Sequence, residues 1–174
     1  MSGHLFDRVC TIYSKATKVD VNTVCSFSGD NTFSVEETAA DWTKIVFRGA
    51  HASLTLNKTV YLGPGFTPPN GYFNKAVMGA HNYFRTIKTA HTDAQRSLVT
   101  AITKVKTLIG CVAEPAMSEE DGHYDIIFAL AARFDGMIFD SDAMLDANGV
   151  VILDKSGRAG FRRGEVSRKR PTRS

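Results

Sequence analysis

The sequence predicts an α+β domain: N-terminal antiparallel strands, two central helices, and a C-terminal strand–helix–strand–hairpin unit packed on a mixed sheet. Three observations carry this expectation. Apolar and polar residues alternate through much of the first sixty positions. A stripe with a 3.6-residue period runs through the middle. Apolar, β-rich runs then flank a further helical stripe before residue 154. At 174 residues the chain is the size of one domain, long enough to bury roughly 70% of its unfolded surface. The expected division is a single globular domain over 1–154 and a basic, flexible tail or linker over 155–174.

The elements follow in order. Val19, Val21, Thr23, Cys25 and Phe27 alternate with Asp20, Asn22 and Ser26, which predicts a strand, although Val24 breaks the polar row. Residues 43–47 form a β-rich run preceded by the only tryptophan, Trp42. Gly49-Ala50-His51 can turn that run back as a hairpin. In 52–62 the period of two is clearer: Leu54, Leu56, Val60 and Leu62 share one face, and Lys58 interrupts it. One buried and one wet face is the pattern of an antiparallel sheet. Residues 63–71 hold three prolines and three glycines, so they predict a loop.

Phe73, Val77, Ala80, Phe84 and Ile87 predict the first central helix. Thr92-x-x-Gln95 has the form of a capping box for the second. Leu98, Ala101, Ile102, Val105, Leu108 and Ile109 give that helix its stripe, with Gly110 just past its end. Residues 111–113 form a short apolar run stopped by Glu114-Pro115. Ser118 offers an N-cap, with Glu119, Glu120 and Asp121 in the first turn, where acids suit the helix dipole. Tyr124, Ile127, Phe128, Ala131 and Phe134 supply the buried stripe. Gly136 ends it, and Met137-Ile138-Phe139 begins a strand. Strand, helix and strand with short joins predict a parallel crossover. Asn148-Gly149 is a hairpin-turn signal before 150–153.

Charge is unevenly placed. Residues 155–174 hold eight Lys or Arg and one Glu, whereas 1–154 hold thirteen Lys or Arg and seventeen Asp or Glu. The basicity therefore belongs to the tail, and the body is mildly acidic. The chain starts with no cationic segment followed by an apolar one, and no apolar run approaches the ~20 residues needed to cross a bilayer. A cytoplasmic location without membrane contact is expected. Cys10, Cys25 and Cys111 are odd in number and widely spaced, as buried free thiols in a reducing compartment would be.

Candidate chemistry is sparse. Asp140, Asp142 and Asp146 invite a calcium-loop reading, but counting from Asp140 puts Met144, Leu145 and Val151 at positions 5, 6 and 12, where that loop needs a ligand, glycine and glutamate. Cys111 with His51, His81 or His91 could make a thiolate–imidazole pair, yet Ile109, Gly110 and Val112 around it point to burial. His4, His51, His81, His91 and His123 show no zinc spacing. No phosphate-binding glycine motif occurs. No catalytic residue, metal or cofactor is predicted. Glu114 sits just past an expected strand end, where α/β folds place ligands, and is the first choice for a carboxylate if one acts. His123 and Asp125 lie near the same end. Asp140 stands at the end of the next strand. Phe66 and Tyr72 could form a binding lip on the 63–72 loop. Arg162, Arg163, Arg168, Lys169 and Arg170 could hold phosphates, although only Phe161 is there to stack on a base.

Residues 110–115 (GCVAEP), 124–131 (YDIIFALA), 134–139 (FDGMIF) and 144–154 (MLDANGVVILD) resemble the N-terminal module of an uncharacterised bacterial domain family. In that family a VAEP segment, a helix, a DG-hydrophobic strand and an LD-x-x-G-x-hydrophobic-hydrophobic-LD segment precede a helical domain of unknown function. Asp41-Trp42-Thr43 and Tyr83-Phe84 fit the same picture. The resemblance covers about half of the chain, and the helical second domain is replaced by the basic tail. It implies no catalytic residue. Small modules of this kind resemble immunity proteins, which neutralise toxins by binding them, so the analogy implies a protein partner.

These observations predict a non-enzymatic protein-binding module, an immunity or regulatory protein whose acidic residues Glu114, Glu119, Glu120, Asp121 and Asp140 would suit a basic partner. The alternatives are a small-ligand enzyme with its site near Glu114, and nucleic-acid contact through the tail.

Overall fold

The computed structural model describes residues 8–61, 92–140, 143–154 and 159–160. Eight strands are present among them: β1 (Val9–Ser14), β2 (Thr32–Glu37), β3 (Trp42–Arg48), β4 (Ser53–Val60), β5 (Thr107–Glu114), β6 (Gly136–Phe139), β7 (Ala143–Leu145) and β8 (Val151–Asp154). The described helices are α1 (Val21–Cys25), α2 (Asp93–Ile102) and α3 (His123–Arg133). The strands make one sheet in the order β2-β3-β4-β5-β1-β6-β7-β8. The class is broadly α+β, with strand outweighing helix.

The first strand in sequence lies inside the sheet. β1 pairs with β5 on one side, Ile12 opposite Ile109, and with β6 on the other, Ile12 opposite Ile138. Both pairings are antiparallel, so β5 and β6 run parallel to each other with β1 between them. The expected mixed sheet is thereby corrected. The crossover from β5 through α3 to β6 steps over one strand, and every pairing among the described strands is antiparallel.

Alternation along the strands divides the core. Cys10, Ile12, Ile45, Phe47, Leu54, Leu56, Ile109, Cys111 and Ile138 face one cluster, which α1 completes with Val24 and α3 with Ile126, Ile127, Leu130 and Ala131. Tyr13, Leu108, Met137, Phe139, Met144 and Leu153 face a second cluster, closed by Leu98 and Ile102 of α2. Each fully buried Leu or Ile contributes about 1.5–3 kcal/mol. Because both faces are covered, residues 107–113 are buried without interruption, and a central strand of this kind shows no period of two.

That explains one departure from expectation. Leu108 and Ile109 match helical spacing, yet α2 ends at Ile102. Lys104 N–H donates to Ala101 O and Val105 N–H to Ile102 O, tightening the last turn, and Lys106 N–H then donates to Ser14 O at 2.8 Å, entering the sheet. The capping box itself forms in both directions: Thr92 N–H donates to Gln95 Oε1 and Gln95 N–H to Thr92 Oγ1, each at 3.1 Å.

Within the strand expected over 19–27, Val21–Cys25 form a helix instead. Asp20 caps it, accepting from Thr23 N–H at 3.0 Å and from the Thr23 hydroxyl at 2.7 Å. The local carboxylate offers the backbone a partner that outweighs weak alternation. Ser118 does not cap α3. Its hydroxyl accepts from Asp121 N–H at 3.0 Å and closes a separate turn, and the helix begins after Gly122, whose φ of 74° lies in the left-handed region open to glycine. The Asn148-Gly149 turn does join two strands, with Asp146 accepting from Asn148 and Val150 N–H at 2.8 and 3.0 Å. The loop expected over 63–71 and the helix over 73–87 lie outside the described residues. No helix among the described residues is long and apolar enough to cross a membrane.

Candidate functional site

The acidic residues singled out by sequence occupy different settings. Glu114 ends β5, is exposed, and binds Arg8, Nη2 to Oε2 at 2.6 Å. Glu119 and Glu120 are exposed in the turn before α3. Asp140 is buried at the end of β6, where Oδ1 accepts from Ala143 N–H at 3.0 Å. The register sets Glu114 and Asp140 two strands and three residues apart, roughly 14 Å between Cα atoms. That separation does not bring them to one reacting atom. Phe66, Tyr72, Asp142, His4, His81, His91 and the five basic residues at 162–170 lie outside the described residues.

Asp121 is committed to structure. Its Oδ2 accepts from His51 and Ala52 N–H at 2.8 Å each, and its Oδ1 from Ala50 N–H at 3.1 Å. Its carbonyl accepts from Asn31 Nδ2 at 2.8 Å. Burial raises its carboxyl, but the amides of His51 and Ala52, the His51 imidazole and the Ala50 amide outweigh this and hold it below the usual carboxylate range. A Cβ on Gly49 would overlap this carboxyl, so the turn needs glycine for close approach. Asp121 thus ties the β3–β4 turn to the start of α3 and to the segment before β2.

His123, the first residue of α3, is fully buried. Its Nδ1 accepts from Ser118 N–H at 3.2 Å, which puts the ring proton on Nε2 in the neutral form. Burial lowers its pKa, opposed by the nearby Asp121. Cys10 and Cys111 face each other across β1 and β5, both buried and unbridged. Burial pushes the Cys10 thiol well up, with Cys111 adding to the effect. Cys111 Sγ donates to Ile109 O at 3.6 Å. With its pKa raised, the Cys10 thiol is a poor nucleophile. No group of three or more His, Cys, Asp or Glu among the described residues could hold a metal ion.

The feature that sequence reading passed over is β2, an edge of the sheet. Gly49 N–H donates to Ala52 O, so the hydrogen-bonded pairs of the β3–β4 hairpin continue at Phe47–Leu54 and Ile45–Leu56. Arg48, Val46 and Lys44 therefore bond to Thr32, Ser34 and Glu36, and the amide and carbonyl groups of Phe33 and Val35 point away from the sheet. Phe33 is 48% exposed and meets Phe47 edge to face, centroids 6.3 Å apart. A bulge at Glu36/Glu37 ends the regular ladder. Residues 26–41 hold Asp30, Glu36, Glu37 and Asp41 and no Lys or Arg. Asp41 is paired with Lys58, which lies over the Trp42 ring; Glu36 has Lys44 at 3.7 Å; Asp30 and Glu37 are exposed. The opposite edge differs: Gly160 N–H donates to Val151 O at 2.7 Å, so residues 159–160 cover part of β8. The signal for β2 was present in the alternation of Thr32, Ser34 and Glu36 with Phe33 and Val35. No family model, curated protein or solved structure matches the chain.

Proposed function

We propose that this domain is a non-enzymatic protein-binding module that takes a basic partner at the β2 edge. The observation that carries the reading is this exposed edge, with its half-exposed aromatic ring and, within residues 26–41, four acids and no Lys or Arg, of which Asp30 and Glu37 are exposed. An exposed strand edge is a template for pairing, and the exposed acids at its two ends favour encounter with a partner of opposite charge. An immunity or regulatory protein is a role that such a module fits. Cross-linked co-purification of the full chain from its native host tests this. The wild type retains a basic protein, and Glu36→Lys/Glu37→Lys releases it. Recovery of no protein partner, together with a measurable turnover, overturns the reading.

A further inference from the structure

Resting on that reading, we infer that the partner binds by strand addition: an extended peptide segment with alternating basic and apolar side chains lies along β2 as a ninth strand. Phe33 and Val35 each present an outward N–H and C=O, enough for four ladder hydrogen bonds over five residues before the Glu36/Glu37 bulge. Successive side chains of an added strand fall on opposite faces. One set lies beside Phe33 and Val35 and extends the apolar face that they share with Phe47 and Ile45. The other set lies beside Ser34, which accepts from Arg48 at 3.1 Å, and Glu36, which has Lys44 at 3.7 Å, so the basic side chains of the added strand find their partners in the exposed Asp30 and Glu37 at its two ends.

Two other occupants fit less well. A second copy paired along β2 would gather Asp30, Glu36 and Glu37 of both copies along one seam, a concentration of like charge that opposes association. The chain's own basic tail follows Gly160, which sits against β8. That is the far edge of the sheet, seven strand spacings from β2, or about 34 Å along it. A basic segment of another protein meets neither obstacle.

The test uses the full chain and a labelled, alternating lysine–valine heptapeptide, followed by fluorescence anisotropy. Binding should weaken at least threefold between 50 and 200 mM salt and about tenfold or more in Glu36→Lys/Glu37→Lys. The decisive variant is Val35→Pro. Its lost N–H points outward, and edge strands tolerate proline there, so the β2–β3 ladder persists while peptide affinity falls about tenfold or more. Peptide N-methylated at alternate residues keeps its charge and should lose affinity to the same degree. Backbone amide shifts of Phe33 and Val35 on titration report the site in a folded wild type. If N-methylation and Val35→Pro leave affinity unchanged while charge reversal still releases the native partner, strand addition is wrong and the binding reading stands. If charge reversal also releases nothing, both fall. A dimer of the wild type that Val35→Pro dissociates would make a second copy the occupant and overturn the inference.

Discussion

Asp121 fastens three stretches of chain with one residue: the β3–β4 turn through its carboxylate, the segment before β2 through Asn31, and the turn before α3 through Ser118. Its folded pKa is depressed, so its stabilisation is complete above the unfolded value near 3.9 and is lost as pH falls through the folded value. Asp121→Asn should lower the melting temperature at pH 7, with the two proteins converging as pH falls through the depressed folded value. Amide exchange at Ala50, His51 and Ala52 should speed up in the variant, and unchanged exchange there would remove the clamp from the account. The acid itself was visible in the sequence as part of an acidic run before a helix. Its partners were not, because they lie about seventy residues earlier and no local pattern encodes them.

Elements were legible where their signals are short-range. Thr92 and Gln95 are three residues apart, and the reciprocal bonds follow from that spacing alone. Thr92→Ala should cost about 1 kcal/mol in urea unfolding, with Gln95→Ala giving a similar loss and the double variant much less than their sum, since each bond serves the same first turn. Two elements misled because a tertiary cause outranked a local one. Residues 107–109 continue the helical spacing of α2, but buried on both faces they have no polar row to mark them as strand. Residues 19–27 alternate weakly, and the Asp20 carboxylate caps a helix at Val21–Cys25 within them. β2 was passed over for the opposite reason. Its face is almost wholly exposed, so burial imposed little on its composition, and the exposure that hid it is what makes it the candidate site.

At the scale of the molecule, the sheet depends on β1. It joins β2–β5 to β6–β8, and no other described strand pairing links the two groups. Ile12 is fully buried opposite Ile109 and Ile138 and in reach of the Gly136 backbone. Ile12→Ala should cost about 2–5 kcal/mol in chemical denaturation, and it should loosen both halves together in hydrogen exchange. Selective loss of one half would show that the halves fold independently. Composition and periodicity yielded the class and several strands, but not this topology. The order of eight strands rests on pairings such as Val9 with Val112, which leave no trace in a reading that moves along the chain.

The position of β1 also sets a timetable. Its neighbours β5 and β6 are synthesised about 100 and 125 residues after it, roughly 5–25 s at ribosomal rates of about 5–20 residues per second. β2, β3 and β4 find one another within thirty residues. The strand that leaves the ribosome first is therefore among the last to receive its partners, and it spends that interval as an unpaired apolar segment with both edges open.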